Sequence, residues 1–125
     1  MLPFRPHFRP GQPVHGEVVY AVKKAIVAGA LRPGDLFPSV RGLSQELKVN
    51  PNTAHKIITT LIRDGHLEVR PGIGTVVTEG PSSTSAQRNH LLDEEVERLV
   101  VEARRLNLNM DDVLNAVKSR WVKLS

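Results

Sequence analysis

Residues 38–65 read PSVRGLSQELKVNPNTAHKIITTLIRDG, and this stretch decides the fold. Ser39 follows a proline and is a favoured N-cap, so a short helix is expected there, with Leu43 and Leu47 on one face. After Lys48-Val49 comes Asn50, a second N-cap. Pro51 takes the first helical position, where its missing N–H is harmless. Ala54, Ile57, Ile58 and Leu61 fall at i, i+3, i+4 and i+7, a single apolar stripe, and Gly65 closes the helix. Two helices joined by a three-residue turn make a helix-turn-helix.

The opposite face of the second of these helices carries Asn52, Thr53, His55, Lys56, Thr59 and Arg63, with no acid before Asp64. A solvated helix face usually mixes acids with bases. Donors without carboxylates suit phosphates and base edges. The competing reading is an ordinary polar surface, and the pattern taken alone does not separate the two.

On the N-terminal side a helix is expected to begin at Pro13. Val14, Val18, Val22 and Ile26 form its stripe, broadened by Val19, Ala25 and Val27, and Gly29 stops it. Leu31-Arg32-Pro33-Gly34-Asp35 asks for a type II turn. Residues 1–13 hold four of the nine prolines and repeat a motif, Phe4-Arg5-Pro6 and Phe8-Arg9-Pro10. An extended arm is expected. It either reaches DNA with Arg5 and Arg9 or tethers itself through Phe4 and Phe8; the second is favoured, because two phenylalanines would otherwise be exposed.

On the C-terminal side Leu67–Arg70 and Thr75–Thr78 read as strands joined by the loop Pro71-Gly72-Ile73-Gly74, a β-wing with Arg70 near its tip. Gly72 and Gly74 do not read as a nucleotide loop, since the segment leads into a strand rather than a helix. Residues 80–90 are small and polar, a linker. Leu92, Val96, Leu99, Ala103 and Leu106 then repeat at heptad-like steps. Asn109 caps a last helix with the stripe Met110, Val113 or Leu114, Val117, Trp121 and Leu124. The expected organisation is an arm (1–13), a winged helix-turn-helix (14–79), a linker (80–90) and a two-helix hairpin (91–125). The fold class is mainly α with a small β-hairpin.

The 125 residues carry 17 Lys+Arg and 13 Asp+Glu, a net charge of +4. All the excess lies in residues 1–80, with ten basic and six acidic side chains; residues 81–125 hold seven of each. A basic module beside a neutral one points to a polyanion partner. No cysteine is present, which excludes disulfide scaffolds, Cys-ligated zinc and thiol catalysis and fits the cytoplasm. No apolar run reaches the length of a membrane span, and the N-terminus lacks a signal-peptide core. His55 and His66 share no metal-ligand spacing, so neither metal nor cofactor is implied. Asp93, Glu94, Glu95 and Glu97 sit at a helix start, where the dipole accounts for them. No nucleophile–base set emerges, so an enzyme is not expected. A winged helix that binds protein rather than DNA is the alternative; it calls for acidic or apolar residues on the polar face, and these are missing.

Residues 13–80 resemble the DNA-binding domain of the GntR family of bacterial transcription regulators. The carrying stretches are Gly29–Asp35, PSVRGLSQEL from Pro38, VNPNTAHK from Val49, Asp64–Leu67 and Gly72–Val77. VNPNT and the short C-terminal part look like the YtrA subfamily. The resemblance implies DNA contact by Arg41, Asn50, Asn52, Thr53 and Lys56. It also implies a wing tip where Gly72 lets the backbone approach the minor groove. Gly42, His55, Ile57-Ile58 and Ile62 depart from the common pattern, and His55 stands at a base-reading position. The expectation is a repressor that binds a pseudo-palindromic operator as a homodimer, controlling a neighbouring transporter operon. The hairpin would supply the dimer contact through Leu92, Val96, Leu99, Val113, Val117 and Trp121, because a two-fold operator needs a two-fold protein. No effector is evident.

Overall fold

The computed structural model describes residues 2–125; Met1, the first residue of the expected arm, lies outside them. The chain divides into two compact units, one ending at Pro81 and the other running from Ser82 to Ser125.

The first unit contains α1 (Val14–Val27), α2 (Val40–Leu47), α3 (Pro51–Arg63), β1 (Leu67–Arg70) and β2 (Gly74–Val77). It is a winged helix-turn-helix. Pro13, expected inside α1, is instead its N-cap, with extended backbone. Val18, Val22, Leu43, Ala54, Ile57, Leu61, Leu67 and Val77 are buried at its centre. Val14 and Val27 are exposed, contrary to expectation; Val19 and Ala25 are buried as expected, and Ala21 joins them. Ile62 is half-buried against this same core. His15 and Thr60 lie 2.8 Å apart and tie α1 to α3.

The turn between α2 and α3 is fixed by hydrogen bonds. Lys48 takes the left-handed region at φ 55°, which costs a non-glycine residue about 1 kcal/mol. The Val49 N–H then donates to the Ser44 carbonyl at 3.1 Å, and Ser44 Oγ donates to the Val49 carbonyl at 2.6 Å. Asn50 Oδ1 accepts the Asn52 N–H at 2.8 Å and starts α3.

β1 and β2 pair antiparallel, with Leu67 opposite Val77 and Arg70 opposite Gly74. The loop is therefore three residues, Pro71–Ile73, one shorter than expected, and β2 starts and ends one residue early. Ile73 N–H donates to the Arg70 carbonyl at 3.0 Å around Gly72, whose φ of 78° suits the third place of a type II turn. The chain after α1 runs beside β2. Phe37 N–H donates to the Thr75 carbonyl at 2.8 Å, Val77 N–H to Asp35 at 2.9 Å, and Leu36 bridges Val76. The wing is thereby anchored to the connection that leads into α2.

The arm is held by one of its two phenylalanines. Phe4 is 5% exposed and stacks on Phe37, with centroids 5.8 Å apart and planes 2° from parallel. Phe8 is 50% exposed, so the tether uses only the first repeat.

The second unit is helical. α4 (Ser85–Asn89) leads through a π-helical stretch (His90–Glu95) into α5 (Val96–Arg105), and α6 (Met110–Lys123) follows. The expected linker is thus shorter than 80–90. Thr84 and Gln87 form a capping box that starts a helix at Ser85. The π stretch also interrupts the α-helical spacing between Leu92 and Val96, so the five-residue seam does not run on one continuous α-helix. Asn107 at φ 61° ends α5, with the Leu108 N–H bonded to the Ala103 carbonyl at 2.9 Å. Asn109 and Asp112 cap α6 reciprocally.

Removing a buried phenyl ring leaves a cavity, whereas removing a solvated one does not. Phe4→Ala is expected to destabilise the winged-helix unit by about 3 kcal/mol in thermal melts, and Phe8→Ala to leave its melting midpoint within error.

Candidate nucleic-acid interface

The rotation of α3 about its axis is set by its buried stripe. With Ala54, Ile57, Ile58 and Leu61 packed inward, Asn52, His55, Lys56, Thr59 and Arg63 are exposed and Thr53 is half-buried. These residues therefore share the outer side of α3, and four of the six fall in its N-terminal half. The N–H of Thr53 has no acceptor among the described residues, leaving the helix start a donor for an anion.

Arg41 is the second residue of α2, which packs on α3. Arg41, Lys48 and Lys56 are exposed and have no carboxylate partner among the described residues. Lys48 was not singled out in the sequence; its place in the left-handed turn between the two helices is the signal that finds it. Asn50 is committed through its side-chain oxygen to capping α3, which leaves its amide N–H₂ to face outward.

The wing differs from its sequence reading in one respect. Arg70 Nε donates to Glu68 Oε1 at 2.9 Å, and its Nη2 lies 2.9 Å from the same oxygen. Its guanidinium is thus part-neutralised, two residues along the same strand. Gly72 stands at the wing tip, and Ile73 beside it is exposed. His66 follows α3. Burial, with help from nearby Lys23 and against Asp64, lowers its pKa below the ordinary value.

Residues 15–77 match the family model described as bacterial regulatory proteins, gntR family, which is just over half of the chain. The chain belongs to the GntR family. Among curated relatives, the uncharacterized HTH-type transcriptional regulator YhcF of Bacillus subtilis is 30% identical over 112 residues, covering 90% of this chain and 93% of that protein. The HTH-type transcriptional repressor YtrA of the same organism is 27% identical over 116 residues, covering 92% and 85%. In fold, the chain is similar to a transcriptional antiterminator from Listeria monocytogenes EGD-e, with TM-score 0.81 and 20% identity over 97% of this chain and 91% of that one.

As a GntR member the protein is a transcription regulator of a non-enzymatic, DNA-binding family, and its winged helix is the family's helix-turn-helix module. No helix among the described residues is long and apolar enough to cross a membrane.

The pairing of Glu68 with Arg70 sets up a test of the wing. Glu68→Gln removes a negative charge and frees the guanidinium. DNA affinity measured by anisotropy is expected to rise by about 0.5 kcal/mol, the scale of an exposed ion pair.

Proposed function

We propose that the protein is a homodimeric repressor in which each α3 reads one half-site of a pseudo-palindromic operator. Asn52, Thr53, His55 and Lys56 face the base edges, and Asn50 lies at the entry of α3. Arg41 and Arg70 hold phosphates, and Gly72 brings the wing backbone to the minor groove. The observation that carries the reading is the acid-free exposed face of α3, beside three cations with no internal partner. Repression is drawn from the likeness to YtrA, and it would follow from occluding polymerase at the operator.

The dimer reading rests on apolar surface. In the second unit Leu92, Val96, Leu99, Val117 and Trp121 are exposed and Val113 is half-buried; Trp121 reaches 76%. Val96, Leu99, Val100, Ala103, Val113, Leu114 and Val117 line an open groove of about 590 Å³. Such a contiguous face is a partner surface rather than a solvated one. A second copy satisfies it and supplies the two-fold symmetry of half-sites about 34 Å apart.

Two measurements test this. Arg41→Ala and Lys56→Ala are each expected to weaken specific DNA binding by about 1–3 kcal/mol; unchanged affinity in both would remove α3 and α2 from the interface. In sedimentation equilibrium, Trp121→Ala is expected to weaken the dimer by about 2 kcal/mol, and a wild-type dissociation constant would take Trp121 out of the contact.

A further inference from the structure

The arm and α1 enclose a small open groove of about 180 Å³, lined by Arg5, His7, Arg9, Glu17, Tyr20, Ala21 and Lys24. Its floor comes from α1, where Glu17, Tyr20, Ala21 and Lys24 stand at i, i+3, i+4 and i+7 and form one stripe. Its wall is the arm, held in place because Phe4 is buried against Phe37.

The charges are arranged for an anion. Arg5, Arg9 and Lys24 bring three cations to the groove against one carboxylate, Glu17. That carboxylate is engaged: its Oε1 accepts from Arg9 Nη2 at 3.1 Å, and its side chain is only 11% exposed. It fixes the guanidinium more than it fills the space. Arg5 and Lys24 have no carboxylate partner among the described residues. Tyr20, 63% exposed as a residue, stands beside them and offers an aromatic face among cations.

The groove opens on a different side of α1 from the one that packs on α3. The side of α1 that packs toward α3 is the one with Val18, Val22 and Ala25, and His15 on that side touches Thr60. At 100° per residue the Glu17–Lys24 stripe is centred roughly 120–130° around the helix from it.

We propose that the groove is a binding site for a small polyanion that carries a planar ring, a nucleotide-like molecule. Arg5, Arg9 and Lys24 meet its negative groups, and the ring lies on Tyr20. Guanidinium groups suit phosphate and carboxylate oxygens, and an exposed aromatic face suits a base or other flat ring.

The test uses the full chain without DNA, at physiological salt, with ATP and tripolyphosphate as probes and amide and side-chain NMR shifts as the readout. ATP is expected to shift residues 5–9, Glu17, Tyr20 and Lys24. The Arg5→Ala/Arg9→Ala double variant is expected to weaken it about tenfold or more, and Lys56→Ala to leave it unchanged. Both substituted arginines are exposed, so an unchanged melting midpoint is expected to confirm that the double variant folds. ATP shifts confined to α3 and abolished by Lys56→Ala, or no saturable shift at the arm, would overturn the site. Tripolyphosphate binding as tightly as ATP would overturn the role of Tyr20. Neither outcome bears on operator binding, which this experiment does not read.

Discussion

Burial of Ala54, Ile57, Ile58 and Leu61 against Val18, Val22 and Leu43 governs the rest of the molecule, because it fixes how α3 is turned about its own axis. A helix with an apolar stripe has one free rotation, and packing removes it. Once the stripe faces inward, Asn52, His55 and Lys56 have nowhere to point but outward. The Ser39 and Asn50 caps and the left-handed Lys48 set where α3 begins relative to α2. The outer side of α3 proposed to read DNA is thus a consequence of core packing.

The helices were legible where residue types and spacing agreed. Ser39, Asn50 and Pro51 marked two starts, and the 54–61 stripe gave the inward face. The Pro33-Gly34 pair marked a type II turn, whereas the same pair at Pro71-Gly72 read only as part of a longer hairpin loop. What stayed hidden depended on tertiary context. Val27 reads as part of the α1 stripe, but it stands at i+3, i+4 and i+7 from the exposed Lys24, Lys23 and Tyr20 and shares their side of the helix. Phe4 and Phe8 stand in identical Phe-Arg-Pro frames, and only the position of Phe37 decides which is buried. The start at Ser85 was masked by a stretch of small polar residues, although Thr84 and Gln87 carry the capping-box pattern. Of the proposed interface residues, Asn52, His55 and Lys56 followed from helix phase, and Arg41 from the family resemblance. The retention of Arg70 by Glu68 did not, because an ion pair between i and i+2 on one face of a strand depends on the rotamers both residues adopt.

The two units differ in how they satisfy their apolar surface. The first buries its stripes within itself. The second leaves Leu92, Val96, Leu99, Val117 and Trp121 open, the surface that the proposed dimer would cover. Its caps are nonetheless well made at Thr84 and Asn109, which define its helices before any partner arrives.

The central claim is that a dimer of this chain reads DNA through α3. Fluorescence anisotropy of the full-length protein against its own upstream DNA, with a scrambled duplex as control and across a salt series, tests it most directly. The account predicts tight binding to the native duplex alone, falling steeply as salt rises because lysine and arginine displace counterions from phosphates. Equal affinity for both duplexes, or no binding to either at low salt, would contradict it.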